Sequence, residues 1–183
     1  MVKLFSHMGL QEATPQVGIS AQFQAATGAA SRESIRKEFL HPGRVLVSST
    51  PCEITTILGS CVAVCLFDPV LRIGGVNHFM FPSSADPTER SARFGTVAME
   101  ILLSEMVKLG AFSGKLQAKV YGGGSLVAPI DHTGPTLGEK NIQFAREQLA
   151  KHRIVMVEAA VGGKHGRKIV FNSGDGSCLV KEL

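Results

Sequence analysis

Residues 55–81, "TTILGSCVAVCLFDPVLRIGGVNHFMF", are the most apolar part of the chain, and their pairing decides the fold. Two runs, "SCVAVCLF" and "RIGGVNHFMF", flank the turn-forming "DPVL". Apolar, β-branched and aromatic content on both sides of an Asp-Pro predicts an antiparallel hairpin. With Asp68–Leu71 as the loop, Phe67 lies opposite Arg72, and Cys61 lies opposite His78. Directly opposed residues share a face, with Cβ atoms about 4.5–5.5 Å apart. A slip of one residue would put the two side chains on opposite faces.

The polar residues of this hairpin suggest chemistry. A free thiol with a pKa near 8.5 is only slightly ionised at neutral pH. An adjacent imidazole can take its proton, and the resulting ion pair lowers the thiol pKa. Gly59 and Ser60 are small enough to leave the sulfur open and to let backbone N–H groups approach an oxyanion. Thr55 or Thr56 could orient the imidazole. Buried cysteines and hydrogen-bonded histidines are also ordinary core residues, so these features alone leave both readings open.

The rest of the chain narrows the class. Its 183 residues are enough for one domain with a real core, and 44% hydrophobic with 19% charged residues reads as a soluble globular protein. A formal charge of +4, no Trp, one Tyr and no dense Lys/Arg run argue against nucleic acid and fit docking on an acidic partner. No apolar run is long enough to span a bilayer, and the N-terminus lacks a secretory signal pattern, so no membrane insertion and a cytoplasmic location are expected. The four cysteines, Cys52, Cys61, Cys65 and Cys178, have no Cys-x-x-Cys spacing, so neither a metal site nor a dithiol couple is expected. Cys65, four residues after Cys61 on the same strand face, reads as core filling, and Cys52 and Cys178 have no evident base.

Residues 1–41 read as a flexible or weakly helical extension, with "SRESIRKEFLHPG" closing it as a short helix before Pro42. Residues 42–183 read as the folded domain. Phe94, Val97, Ala98, Ile101, Leu102, Met106 and Leu109 recur at helical spacing and stop at Gly110. Thr136 with Glu139 forms a capping box for a second helix through Ile142, Ala145 and Leu149. "LQAKVY" leads as a strand into Gly122-Gly123-Gly124, a tight turn without a phosphate-loop ending. "GGKHGRK", residues 162–168, reads as a basic patch or a glycine turn with solvated charges. Two main helices with many largely antiparallel strands predict an α+β layered domain.

Six segments in order, "LGSCVAVCLFD", "GGVNHFMFP", "RFGTVAMEILLSEMVKLGA", "AKVYGGG", "LGEKNIQFAREQL" and "GGKHGRKIVFN", resemble the CheD family of bacterial chemoreceptor glutamine deamidases. The resemblance runs from about Pro42 to Leu183 and departs at Phe81, where leucine is commoner, and in the N-terminal extension. It implies a three-layer α/β/β sandwich and a Cys-His-Thr triad. The matched positions are Cys61, His78 and, six residues before the cysteine, Thr55. Gly122 and Gly123 would border the substrate cleft with Gly59 and Ser60. The implied reaction converts receptor glutamines to glutamate with release of ammonia through a thioester, without cofactor. The implied partners are the cytoplasmic helices of chemoreceptors and the CheC phosphatase, with the chain itself a monomer. A cysteine hydrolase acting on another amide and a non-catalytic adaptor for receptors or CheC are the alternatives.

Overall fold

The structure, a computed structural model, describes residues 35–125 and 134–183. Among the described residues, nine strands and two α-helices run in the order β1 (Arg36–Phe39), β2 (Arg44–Ser48), β3 (Cys52–Leu58), β4 (Val62–Asp68), β5 (Ile73–Phe79), α1 (Gly95–Lys108), β6 (Gln117–Gly122), α2 (Leu137–Lys151), β7 (Val155–Val161), β8 (Arg167–Asn172) and β9 (Cys178–Glu182). A five-stranded sheet has the order β2-β5-β4-β6-β7, and a four-stranded sheet the order β1-β3-β8-β9. All pairs are antiparallel except β1–β3 and β6–β7 at the edges. The fold is therefore the expected α+β sandwich with two main helices and largely antiparallel sheets.

Strand alternation creates its two cores. Val62, Val64 and Leu66 point to the helices and pack with Met99, Leu102, Met106, Ala145 and Leu149. Ala63 and Cys65 point the other way, to Ile54, Leu58, Ile169 and Phe171 of the smaller sheet. The helices, the five-stranded sheet and the four-stranded sheet thus form three layers, and β4 and β5 are buried on both faces. The helices lie where periodicity placed them. Helix α1 buries Val97, Ala98, Leu102 and Met106, and α2 starts at the expected capping box, with Thr136 Oγ1 accepting from the Glu139 N–H.

Two expectations change. Residues Arg36–Phe39 form β1, paired in parallel with β3, and are not a closing helix. Leu40 follows in the core, 3% exposed, with its N–H donating to the Thr55 carbonyl at 2.8 Å. Strand pairing, a long-range gain that a local propensity scan does not contain, overrides the weak helical pattern. The expected 1–41 extension lies outside the described residues up to position 34, and the folded part begins before Pro42.

The hairpin register also differs. Asp68 pairs with Ile73 and the loop is Pro69–Arg72, so the partner of His78 is Ala63 and not Cys61. The reason is local. Asp68 Oδ1 accepts from the N–H groups of Val70 and Leu71 at 2.9 and 3.0 Å, and its carbonyl accepts from Arg72 N–H. Arg72, at φ +55°, belongs to the turn. A displacement by two residues preserves which face each side chain occupies.

Candidate active site

Alternation along β3 sends Ile54, Thr56 and Leu58 into the inter-sheet layer and leaves Thr55 and Ile57 on the outer side. On β5 the same rule buries His78, 1% exposed, in that layer beside Val76. Thr56 and His78 consequently meet across the two sheets. Thr56 Oγ1 lies 2.8 Å from His78 Nδ1 and 2.7 Å from the Leu40 carbonyl oxygen. The threonine that touches the imidazole is Thr56 and not the expected Thr55, because adjacent strand residues face opposite ways. Thr55, half-buried, instead has Phe39 and Val170 as its sheet partners.

The three-atom relay fixes the tautomer. The Leu40 carbonyl can only accept, so the single hydroxyl proton of Thr56 goes to it. Thr56 Oγ1 then accepts from Nδ1–H, and Nε2 carries the free lone pair. Nε2 is buried and has no hydrogen-bond partner among the described residues. Burial lowers the His78 pKa to about 4, opposed in part by the Leu40 carbonyl, so the ring is neutral at physiological pH. A neutral imidazole with one nitrogen anchored and the other bare is in the form a general base requires.

Cys61 stands at the start of β4, half-buried, and packs against the same inter-sheet cluster as Ala63, the partner of His78. It is therefore a diagonal neighbour of the imidazole and not the directly opposed one. Burial raises the Cys61 thiol pKa, with its own backbone N–H pulling partly back. A preformed thiolate–imidazolium pair, expected from the residue types, is not the resting arrangement. Both groups rest neutral.

The loop before Cys61 is held by its neighbours. Gly123 N–H donates to the Cys61 carbonyl at 2.7 Å, and Gly124 N–H to the Gly59 carbonyl at 2.8 Å. Gly122 has φ +101°, and a Cβ there would overlap the Cys61 carbonyl oxygen. The glycine turn thus has a direct structural use, and the Gly123 N–H is committed to Cys61 instead of being free for an oxyanion. None of Gly59, Ser60 and Cys61 donates its N–H to a backbone carbonyl among the described residues.

Beneath the turn, Arg167 is 6% exposed and its Nη1 donates to the Gly122 carbonyl at 3.4 Å. This arginine of "GGKHGRK" is a buried support of the turn, not a solvated charge. Asn141 on α2, fully buried, donates from Nδ2 to the carbonyls of Ser60 and Met80. Neither Leu40 nor Asn141 stands out in the sequence, since each acts through contacts distant along the chain. The capping box and the apolar spacing of Ile142, Ala145 and Leu149 were the pointers to α2's register.

All four cysteines are free. Cys52 and Cys65 are buried. Cys178 is half-buried, and its neighbours Cys65 and Tyr121 lower its pKa against its burial.

The family profile described as CheD chemotactic sensory transduction matches residues 80–182. A protein of Anaeromyxobacter dehalogenans named probable chemoreceptor glutamine deamidase CheD 1 is 45% identical over 145 residues, covering 79% of this chain and 84% of that one. A Trichlorobacter lovleyi protein named probable chemoreceptor glutamine deamidase CheD is 44% identical over 146 residues, covering 80% and 90%. A shared stretch of that length leaves at most 38 residues of this chain outside it, so it takes in Thr56, Cys61, His78 and Asn141 wherever it begins. No helix among the described residues is long and apolar enough to cross a membrane. On the strength of these matches, the chain belongs to the CheD family.

Proposed function

We propose that this chain is a protein-glutamine deamidase acting on chemoreceptors, with Cys61 as nucleophile, His78 as general base and acid, and Thr56 as the residue that orients His78. The observation that carries this reading is the imidazole itself: neutral, locked through Nδ1 by Thr56 and Leu40, and presenting a bare buried Nε2 on the face shared with Cys61. The curated relatives named as chemoreceptor glutamine deamidases support the substrate class.

As a glutamine carboxamide enters, the Cys61 sulfur attacks its carbonyl carbon while the thiol proton passes to Nε2. Catalytic hydrogen bonds commonly tighten only in the substrate complex, consistent with the unpartnered Nε2 of the free site. N–H groups of the Gly59–Cys61 loop stabilise the oxyanion. The imidazolium then gives its proton to the leaving nitrogen, ammonia departs, and a thioester remains. Water, deprotonated by the again neutral His78, attacks the thioester and yields glutamate and the thiol. The residues account for every proton, and the reaction as drawn uses no cofactor. The added carboxylate on a receptor helix is worth a few tenths of a kcal/mol in pairing or repulsion one turn away, enough to bias a bundle poised between two states. Binding to a CheC phosphatase, in competition with receptor, extends the same reading.

The deciding experiment incubates receptor cytoplasmic fragments with the wild type and with Cys61→Ala. It follows ammonia and the amide-to-acid mass change of receptor peptides. Ammonia release by the wild type and none by the folded variant is the expected result. Activity retained without Cys61 would sink the assignment of the nucleophile, and peptide-bond cleavage without ammonia would favour a hydrolase of another amide. Binding of receptor or CheC with no turnover would leave an adaptor.

A further inference from the structure

The β4–β5 ladder ends at the pair Val62–Phe79. Continued by one rung, it would pair Cys61 with Met80, but the strands part there, and the site opens in the gap. Across that gap lies the Asn141 side chain. Its Nδ2 donates to Ser60, immediately before Cys61, at 3.0 Å and to Met80, two residues beyond His78, at 2.9 Å. Nothing else among the described residues joins the Cys61 loop to the end of β5 by a hydrogen bond.

We propose that Asn141 is a positioning residue that sets the separation of Cys61 and His78 by clasping the carbonyls of Ser60 and Met80 where the sheet ladder stops. For its catalytic consequence this rests on the deamidase reading. The chemistry selects an asparagine. Two carbonyls must be gripped from one point, and an amide nitrogen is a short, neutral group with two protons to give. The reversed amide would set an oxygen against two carbonyl oxygens, so the contacts themselves determine its orientation. A hydroxyl would satisfy one carbonyl only, and a carboxylate would repel both.

The helix that carries the clasp is itself braced. Its start is fixed by the Thr136–Glu139 capping box, and Gly138 packs so closely on the Gly123 carbonyl that a Cβ would overlap it. Gly123 in turn donates to the Cys61 carbonyl. The two carbonyls flanking the Cys61 amide segment are thereby held from α2 and from the glycine turn. Asn141 Oδ1 remains buried with no partner among the described residues. Burying an acceptor without a protein partner is a cost, accepted here beside two donated hydrogen bonds from the same amide.

The test uses the full chain with Asn141→Leu, a substitution of similar size, and Asn141→Ser, which keeps one donor. Peptide-resolved alkylation by iodoacetamide at pH 7 reads the Cys61 thiol, with Cys178 as internal control, and ammonia release reads turnover. The expected result for folded Asn141→Leu is Cys61 alkylation slowed about 10-fold with Cys178 within about twofold. Its kcat falls about 10- to 100-fold while KM stays within about twofold, the signature of a displaced catalytic group. Asn141→Ser is intermediate. Cys61 alkylation and kcat both within about twofold of wild type in Asn141→Leu would overturn the proposal. If that variant does not fold, Asn141→Ser decides: wild-type Cys61 reactivity overturns the clasp and slowed reactivity supports it. If the wild type releases no ammonia, the deamidase reading fails by itself, and Cys61 reactivity still judges the clasp.

Discussion

At the scale of single residues, one hydroxyl separates two neighbouring threonines. Thr56 accepts from His78 Nδ1 and donates to Leu40, whereas Thr55 faces away on the outer side of the smaller sheet. Thr56→Val removes the acceptor that holds the imidazole tautomer, so ammonia release falls about 100-fold, within the range general base catalysis contributes. Thr56→Ser retains the hydroxyl and most of the rate, and Thr55→Val stays within about twofold of wild type. Initial-rate assays on receptor fragments check all three. The reverse pattern, with Thr55 critical, would refute this orientation of His78. Two adjacent threonines cannot be told apart by composition, and the spacing carried by the family resemblance pointed to Thr55. Only a strand face, defined by what packs on the other side, distinguishes them.

At the scale of elements, the site is a junction of three strand ends and a glycine turn. The hairpin was legible because both runs are apolar and flank Asp-Pro. Its register was not, because it depends on Asp68 capping the turn and on Arg72 leaving the strand. The turn at Gly122-Gly123-Gly124 was legible as a turn, but its service to the Cys61 loop was not, since that contact spans some sixty residues. Gly122→Ala forces a side chain into the left-handed region and against the Cys61 carbonyl. A strain of about 1–3 kcal/mol is expected, and at about 2–4 °C per kcal/mol the melting temperature drops by several degrees. Turnover falls more steeply than stability because the displaced carbonyl belongs to Cys61, the proposed nucleophile. Gly134→Ala, at a position where a Cβ meets nothing among the described residues, leaves both unchanged. Thermal melts and rates measured side by side check the pair. Equal loss in both variants would remove the special role of Gly122.

At the scale of the whole molecule, burying a neutral histidine between two sheets links stability to pH. The folded-state pKa of His78, about 4, lies below the ordinary value of 6.5, so the unfolded chain takes up a proton that the folded chain refuses. Stability from this group is fully present above about pH 6.5 and declines as pH falls toward 4. Between pH 7 and pH 5 the loss is about 2 kcal/mol. Denaturant melts of the wild type and His78→Gln at these two pH values check this. The variant should lose less stability by about that amount, because Asp86, Glu158 and Asp175, whose carboxyl groups also rest below their ordinary range, are common to both. An equal loss in both proteins would show that His78 titrates normally. The acid limb of turnover should likewise lie nearer pH 4 than 6.5.

The same scale separates what local pattern determines from what assembly decides. Periodicity, the capping box and the Asp-Pro turn determined the two helices, the hairpin and the layered α+β class, because each is a property of residues within one or two turns of one another. The ordered set of six segments pointed to the family, and with it to Cys61 and His78. Tertiary structure decided that Arg36–Phe39 is a strand, that Thr56 and Leu40 hold the imidazole, that Gly123 holds Cys61, and that Asn141 spans the end of the ladder. Each of these is a hydrogen bond or strand pairing between residues at least sixteen positions apart. Such contacts take their geometry from how the sheets and helices stack, which no local stretch of sequence contains.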